Sequence, residues 1–247
     1  MLRDLEGLLQ AKGISFHSKG NRLRCFSHVV NIAVKHGLAA LTDTNPSSYM
    51  DSEADTGSTP PQAQELPSPH SSDDPRARQL VNACRASGQR CEDFMATITE
   101  GNRTEAFGQG KSLRAVQLLR DVNTWWSSTF LMIDRLLELY PTVLVFMESP
   151  RQSDISYHLL NEAELQVLQD IRGFLLLPHL VQELLSAEQT PTASQAIPAY
   201  ERLLNILNLA RIKYPKIAHG IEASITAIKQ YMCYTRQTRA YALAMSA

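Results

Sequence analysis

From Trp126 to Leu144 the chain carries its longest helical pattern, and the width of that pattern limits what it can fold into. Trp126, Phe130, Ile133, Leu137, Tyr140 and Leu144 recur at steps of four and three, one face of an α-helix. Met132, Leu136, Leu139 and Val143 form a second stripe beside the first. A single neighbour cannot cover so wide an apolar arc, so the pattern predicts a helix packed among several others. Asn123 and Thr124 precede it, and their side-chain oxygens can accept bonds from its orphan N–H groups. Pro141 has no N–H and crowds the carbonyl of Leu137, which predicts a kink or a break there.

Elsewhere the same periodicity recurs in shorter pieces. Leu2, Leu5, Leu8 and Leu9 predict a helix stopped by Gly13. Residues 21–26 read as a brief strand, with Leu23 and Cys25 on one face and Arg22 and Arg24 on the other. Residues 28–41 read as a helix with Val30, Val34, Leu38 and Leu41 inward. The tract 43–75 is rich in Ser, Pro, Asp and Thr, and Tyr49, Met50 and Leu66 are almost its only large apolar residues. So little apolar surface does not offset the entropy of ordering, so disorder is expected there. Beyond it, Leu80, Val81 and Cys84 suit one short helix and Phe94, Met95 and Ile98 another, with Gly88 and Gly101 as breaks and a polar loop over 101–111. Asn161 with Glu164 three residues later forms a capping box for a helix reaching Pro178, and 179–187 continues beyond that proline. Pro198 opens a helix carrying Tyr200, Leu203, Leu204 and Leu207. Ile217, Ile221, Ile225, Ile228 and Met232 line the last. The expected fold is mainly α, a helical bundle.

Charge is close to balanced but unevenly placed. Residues 1–42 hold six Lys/Arg against two acids, and 200–247 hold seven against two, whereas 127–199 hold nine acids against three Arg. Two basic ends around an acidic middle leave room for an anion-binding surface that the net charge of -1 conceals. Arg3, Asp4 and Glu6 interrupt any secretory core at the start. No apolar run approaches ~18 residues, so no membrane span is expected. Cys25, Cys84, Cys91 and Cys233 are scattered, which suits free thiols better than a disulfide framework. A Gly-rich phosphate loop, a Ser/His/Asp set and a His-Glu-x-x-His motif are all missing, so no small-molecule substrate is expected. No basic cluster is dense enough to read as a nuclear import signal.

The run Asp121-Val122-Asn123-Thr124-Trp125-Trp126-Ser127-Ser128-Thr129 resembles the Asp-Val-x-Thr-Arg-Trp-Asn-Ser-Thr signature of the hAT superfamily of cut-and-paste DNA transposases. Three more stretches match in order. Cys25-Phe26-Ser27-His28 followed by Val30-Asn31-Ile32 resembles the family's Cys-x-x-His motif and Leu-Asn-Leu helix. Leu185-Ser186 with Pro191-Thr192 is similar to its Leu-Ser-x-x-x-x-Pro-Thr run. Residues 239–245 resemble the approach to the strand that resumes its catalytic domain. Together they cover nearly the whole chain.

The resemblance implies a small remnant of a ribonuclease-H-like α/β domain over 1–42, the disordered linker 43–75, and a helical insertion domain over 76–247. It also implies that the family's three metal-binding acids lie outside this chain, two aspartates before Cys25 and a glutamate after Ala247. The family uses Mg²⁺ or Mn²⁺ through those acids, so this chain is expected to be catalytically inactive and without a cofactor. DNA is the implied partner and the nucleus the implied location. Trp125 departs from the pattern, standing where the family has arginine.

Several residues admit two roles. Trp126 heads the apolar stripe, which suits a core ring, yet by resemblance it is the residue that stacks on an unpaired base or hairpin end. Trp125 points about 100° away, so the two rings cannot both be inside. Arg120, Lys213, Lys216, Lys229, Arg236 and Arg239 suit either a phosphate-facing surface or solvated helix faces. Asp121 lacks the second carboxylate that a metal site needs, and a structural role such as pairing with Arg120 or capping is expected. Cys25 and His28 have the spacing of half a zinc site with no second pair; with Asn31, Thr124, Ser128, Pro191 and Thr192 they read as structural motif residues. Beside the DNA-associated reading stand two others, a helical module that binds proteins and a non-functional transposon relic.

Overall fold

A computed structural model describes residues 2–13, 25–42, 76–122, 125–187 and 193–236. Its architecture among these residues is mainly helical, with no strand. The helices are α1 (Leu2–Ala11), α2 (Phe26–Leu41), α3 (Arg76–Cys84), α4 (Gly88–Arg103), α5 (Trp126–Glu138), α6 (Tyr140–Glu148), α7 (Glu162–Ala187), α8 (Ala193–Lys213) and α9 (Ala218–Arg236), with short 3-10 turns at Pro150–Gln152, Ser156–His158 and Pro215–Ile217. Most of the expected strand, 21–24, lies outside the described residues, and Phe26 opens a helix instead. The tract 43–75 also lies outside them.

The helices gather into two compact units, and the boundary falls inside α7, between Gly173 and Phe174. The resemblance implied parts over 1–42 and 76–247; the compact units group the helices by contact instead. The first unit combines α1 and α2 with the later part of α7, α8 and α9; the second holds α3 to α6 and the start of α7.

In the first unit, α2 packs chiefly on α9, and α9 on α8. Val29, Val30, Ala33 and Val34 of α2 are buried, and so are Ile217, Ile221, Ile225, Ile228 and Met232, the stripe expected for the last helix. The two helices meet at glycines. A Cβ on Gly37 would press on Ser224 Oγ and lie 2.8 Å from the Gly220 carbonyl oxygen; one on Gly220 would lie 2.8 Å from the Gly37 carbonyl. Only hydrogen on both α-carbons permits so close a crossing. Phe26 stacks on Tyr200 of α8 at 4.7 Å.

The second unit encloses Leu80, Phe94, Ile98, Leu118, Trp126, Leu136, Leu139 and Phe146, with Phe94 and Phe146 edge-on at 5.3 Å. The break expected at Pro141 is present, for α5 ends at Glu138 and α6 starts at Tyr140 with the proline in its first turn. That break changes the register. Met132, Leu136, Leu139 and Val143 are buried throughout, while Leu144 of the other stripe is 44% exposed. Gly101 does not break its helix, which runs on to Arg103; it is buried where the Phe107 ring lies against it. The capping box holds, since the Asn161 N–H donates to Glu164 at 2.8 Å and the Glu164 N–H to Asn161 at 2.9 Å.

Two prolines behave differently from expectation. Pro178 lies inside α7 and Pro198 inside α8, so neither ends nor opens a helix. Each removes one backbone bond, but Phe174 and Leu175 ahead of Pro178, and Ala199 and Tyr200 after Pro198, are buried. Side-chain burial of that extent outweighs one lost bond.

Candidate nucleic-acid interface

Residues 119–122 of the motif lie outside any helix or strand ahead of α5, and side chains bond the described part of the motif at three points. Asp121 is nearly buried, and its carboxylate accepts a forked pair of bonds from Arg78 of α3, from Nε at 2.9 Å and from Nη2 at 2.6 Å. The Thr129 hydroxyl donates to the same carboxylate at 3.2 Å. Ser128 Oγ accepts the Val122 N–H at 2.9 Å and reaches back to the Val122 and Trp125 carbonyls. Arg120 Nη2 donates to the Arg85 carbonyl at 2.5 Å. The expected pairing of Asp121 with Arg120 is not made: its partner is Arg78, 43 residues earlier. A planar guanidinium matches a carboxylate at two points, which the neighbouring Arg120 is not positioned to do.

Trp125 is the N-cap residue of α5 and makes no side-chain capping bond. Asn123 and Thr124, expected as caps, lie outside the described residues. Trp126 is 1% exposed and Trp125 46% exposed, so one ring packs and the other faces water. Extended backbone at Trp125 turns its side chain away from the helical stripe that Trp126 joins.

The C-terminal basic residues do not gather at one place. Lys213 and Lys216, both exposed, sit where α8 turns into α9, and the Lys213 ammonium lies 5.2 Å from the Tyr214 ring. Lys229 and Arg236 lie further along α9, two turns apart on one side, and line a groove of about 650 Å³ between α8 and α9. Arg236 donates to Glu201 at 2.8 Å, so part of its charge is already answered. Arg239 lies outside the described residues. Trp125 and Arg120 belong to the second unit and these lysines to the first.

Of the remaining motif residues, Cys25, the N-cap of α2, and His28 in its first turn are exposed, and Asn31 is buried. Pro191 and Thr192 lie outside the described residues. Among the described residues no group of three His, Cys, Asp or Glu side chains is placed to hold a metal. Burial pushes the Cys84 thiol up to about 12, leaving a protonated, inert sulfur. Burial lowers His36 on α2, and burial with the nearby Arg76 charge lowers His158. The bond from Arg114 holds Glu138 below the usual carboxylate range.

Sequence reasoning missed the residues that tether the extended run. Asn102 bonds both the N–H and the carbonyl of Leu113 at 2.8 Å, Gln117 donates to the Cys91 carbonyl at 2.7 Å, and Arg135 donates to the Gln117 carbonyl at 3.1 Å. Nothing local signals these bonds, since each joins positions that only the fold brings together.

No protein family, curated protein or solved structure matches the chain. No helix of the described residues is long and apolar enough to cross a membrane.

Proposed function

We propose that this chain is a transposase-derived helical protein of hAT type that associates with DNA and does no chemistry of its own. The reading rests on the ordered motif resemblance, and one observation supports it above the others. The exposed aromatic, Trp125, is the N-cap residue of α5, and Ser128 in the first turn of that helix accepts the Val122 N–H while Arg78 holds Asp121. An exposed aromatic face can stack on an unpaired base of any identity, worth roughly 1–3 kcal/mol. On this reading the segment through residue 42 is the tail of a ribonuclease-H-like domain, and the family's acids lie beyond the chain. Arg120 and the lysines of α8 and α9 contribute phosphate contacts whose strength falls with salt.

Fluorescence anisotropy with single-stranded and hairpin DNA tests this. Trp125→Ala should weaken binding roughly 5- to 150-fold, the range that the stacking energy above implies, and leave the melting temperature unchanged. Trp125→Arg should strengthen duplex binding at low salt and steepen its salt dependence. With Mg²⁺ or Mn²⁺ the protein should neither nick nor join DNA, and nicking abolished by Asp121→Ala would overturn the inactive assignment. Absence of DNA binding, or binding indifferent to Trp125, would remove the nucleic-acid reading. The protein-binding alternative draws support from Leu184, Leu209 and Ile212, which are 71%, 68% and 76% exposed.

A further inference from the structure

The first two helices of the second unit form a tight corner. Residues 85–87 alone join α3 to α4, and the two helices pack on each other. On α3, Leu80 and Cys84 stand one turn apart and are buried, with Cys84 the last residue of the helix. On α4, Cys91, Phe94 and Ile98 follow at steps of three and four, so Cys91 begins the face that buries Phe94 and Ile98. The two inner faces converge at the corner, and each ends there in a thiol. Arg90 ties the corner together, donating from Nη1 to the Ala83 carbonyl at 3.4 Å. Burial chiefly holds the proton on Cys84, and the Cys91 sulfur lies near enough to strengthen that hold. Cys84 is 1% exposed and Cys91 half-buried, so solvent reaches one sulfur of the pair and not the other.

We propose that Cys84 and Cys91 are a redox pair, closed to a disulfide by peroxide and reopened by a small dithiol. The Cys91 thiolate attacks one peroxide oxygen, the O–O bond breaks, and Cys91 is left as a sulfenic acid. The departing hydroxide becomes water with the proton that Cys91 gave up. The Cys84 sulfur then attacks the Cys91 sulfur. An S–S bond forms as the S–O bond breaks, and the second hydroxide leaves as water with the Cys84 proton. Two thiols thereby lose two electrons, and the peroxide gains them. Burial keeps Cys84 inert toward reagents in solvent, but not toward an oxidised sulfur formed by its own neighbour. The corner is also where the motif run is tied down. Gln117 Nε2 donates to the Cys91 carbonyl at 2.7 Å, and Arg120 Nη2 to the Arg85 carbonyl at 2.5 Å. A disulfide fixes both anchor points, so oxidation tightens the hold on 111–122. The inference does not depend on the DNA reading.

The test treats the folded full chain with hydrogen peroxide, blocks the remaining thiols and digests with trypsin without reductant. Peptides 79–85 and 91–103 should appear joined in monomeric protein and separate on reduction. Protease cleavage within 111–122 should slow roughly tenfold or more in the oxidised chain, and dithiothreitol should restore it. Cys25→Ser with Cys233→Ser removes the two exposed thiols and leaves the pair intact, so this variant should oxidise as the unaltered chain does. With Cys84→Ala, Cys91 should accumulate as a sulfenic acid that dimedone traps; with Cys91→Ser, Cys84 should stay reduced. A Cys91 that stays reduced, or peptides that join only after urea has unfolded the chain, would overturn the proposal. So would a link from either cysteine to Cys25 or Cys233 instead, or a closed pair that leaves cleavage within 111–122 unchanged.

Discussion

Where α2 crosses α9, helix meets helix through glycines, with Val29, Val30, Ala33, Val34, Ile221, Ile225 and Ile228 buried around them, and the ion pairs Arg211 with Glu222 and Arg236 with Glu201 lie on the surface between α8 and α9. The unit built on α3 to α6 is tied differently. Arg78, Arg90, Asn102, Gln117, Arg135 and Tyr140 all bond to groups far away in sequence, several of them backbone carbonyls. The contrast follows from what is being packed. A helix satisfies its own backbone, so shape alone can join two of them. Chain outside helices, such as 111–122, leaves many N–H and carbonyl groups without a regular internal partner, and side chains reach over to bond some of them.

The largest expected effect is in the second unit. Trp126→Ala removes a wholly buried ring and should cost about 3–5 kcal/mol, read as a fall in the melting temperature, while Trp125→Ala leaves it nearly unchanged. Equal losses from both would erase the assigned division between the rings. The glycine crossing should come next. Gly37→Val drives a branched side chain at the Gly220 carbonyl and should cost about 3 kcal/mol, whereas Gly7→Ala, in open space on α1, should gain about 0.5–1 kcal/mol. Hydrogen exchange should show the first loss in α2 and α9 while α4 to α6 stay protected.

Tether loss should be smaller and more local. Asp121→Ala leaves the Arg78 guanidinium without its carboxylate and should cost about 2 kcal/mol, since Arg78 keeps some access to water. Asn102→Ala deletes two bonds to Leu113 and should cost about 1–2 kcal/mol. Both should raise protease cleavage within 111–122 before any global unfolding, and unchanged cleavage would mean that the tethers are incidental. The mildest effect is on pH. His36 and His158 are lowered in the folded protein, so below their ordinary 6.5 the unfolded chain binds more protons. Their contribution is complete above that value and is lost as the pH falls toward their depressed values, so the melting temperature should fall on acidification. His36→Gln and His158→Gln should each flatten that slope in their own unit.

How much could be read beforehand follows the same line between local and distant. The faces of α2, α5 and α9, the stop at Gly13 and the Asn161–Glu164 box depend on neighbours within four residues, and sequence displays them. The split between Trp125 and Trp126 was legible for that reason. Asp121 was recognisable as structural, but Arg78 was not recognisable as its partner, because 43 residues of intervening chain decide where α3 lies. Pro178 and Pro198 misled because proline rules price one lost bond and cannot see the buried residues beside it. The division into units was hidden as well, since the mate of α2 is the last helix described.

That pairing of α2 with α9 has a consequence for how the chain is made. A ribosome delivers α2 early and must then synthesise everything up to residue 236 before its partner is complete. At roughly 5–20 residues per second that interval is roughly 10–40 s. The unit between them can fold during this time, because all its elements emerge consecutively from 76 to 173. The apolar face of α2, with Val29, Val30, Ala33 and Val34, has to wait in a nascent chain that lacks the surface built to receive it. Whatever shields that helix during synthesis acts on an element whose chief partner is, among the described residues, the last helix to be made.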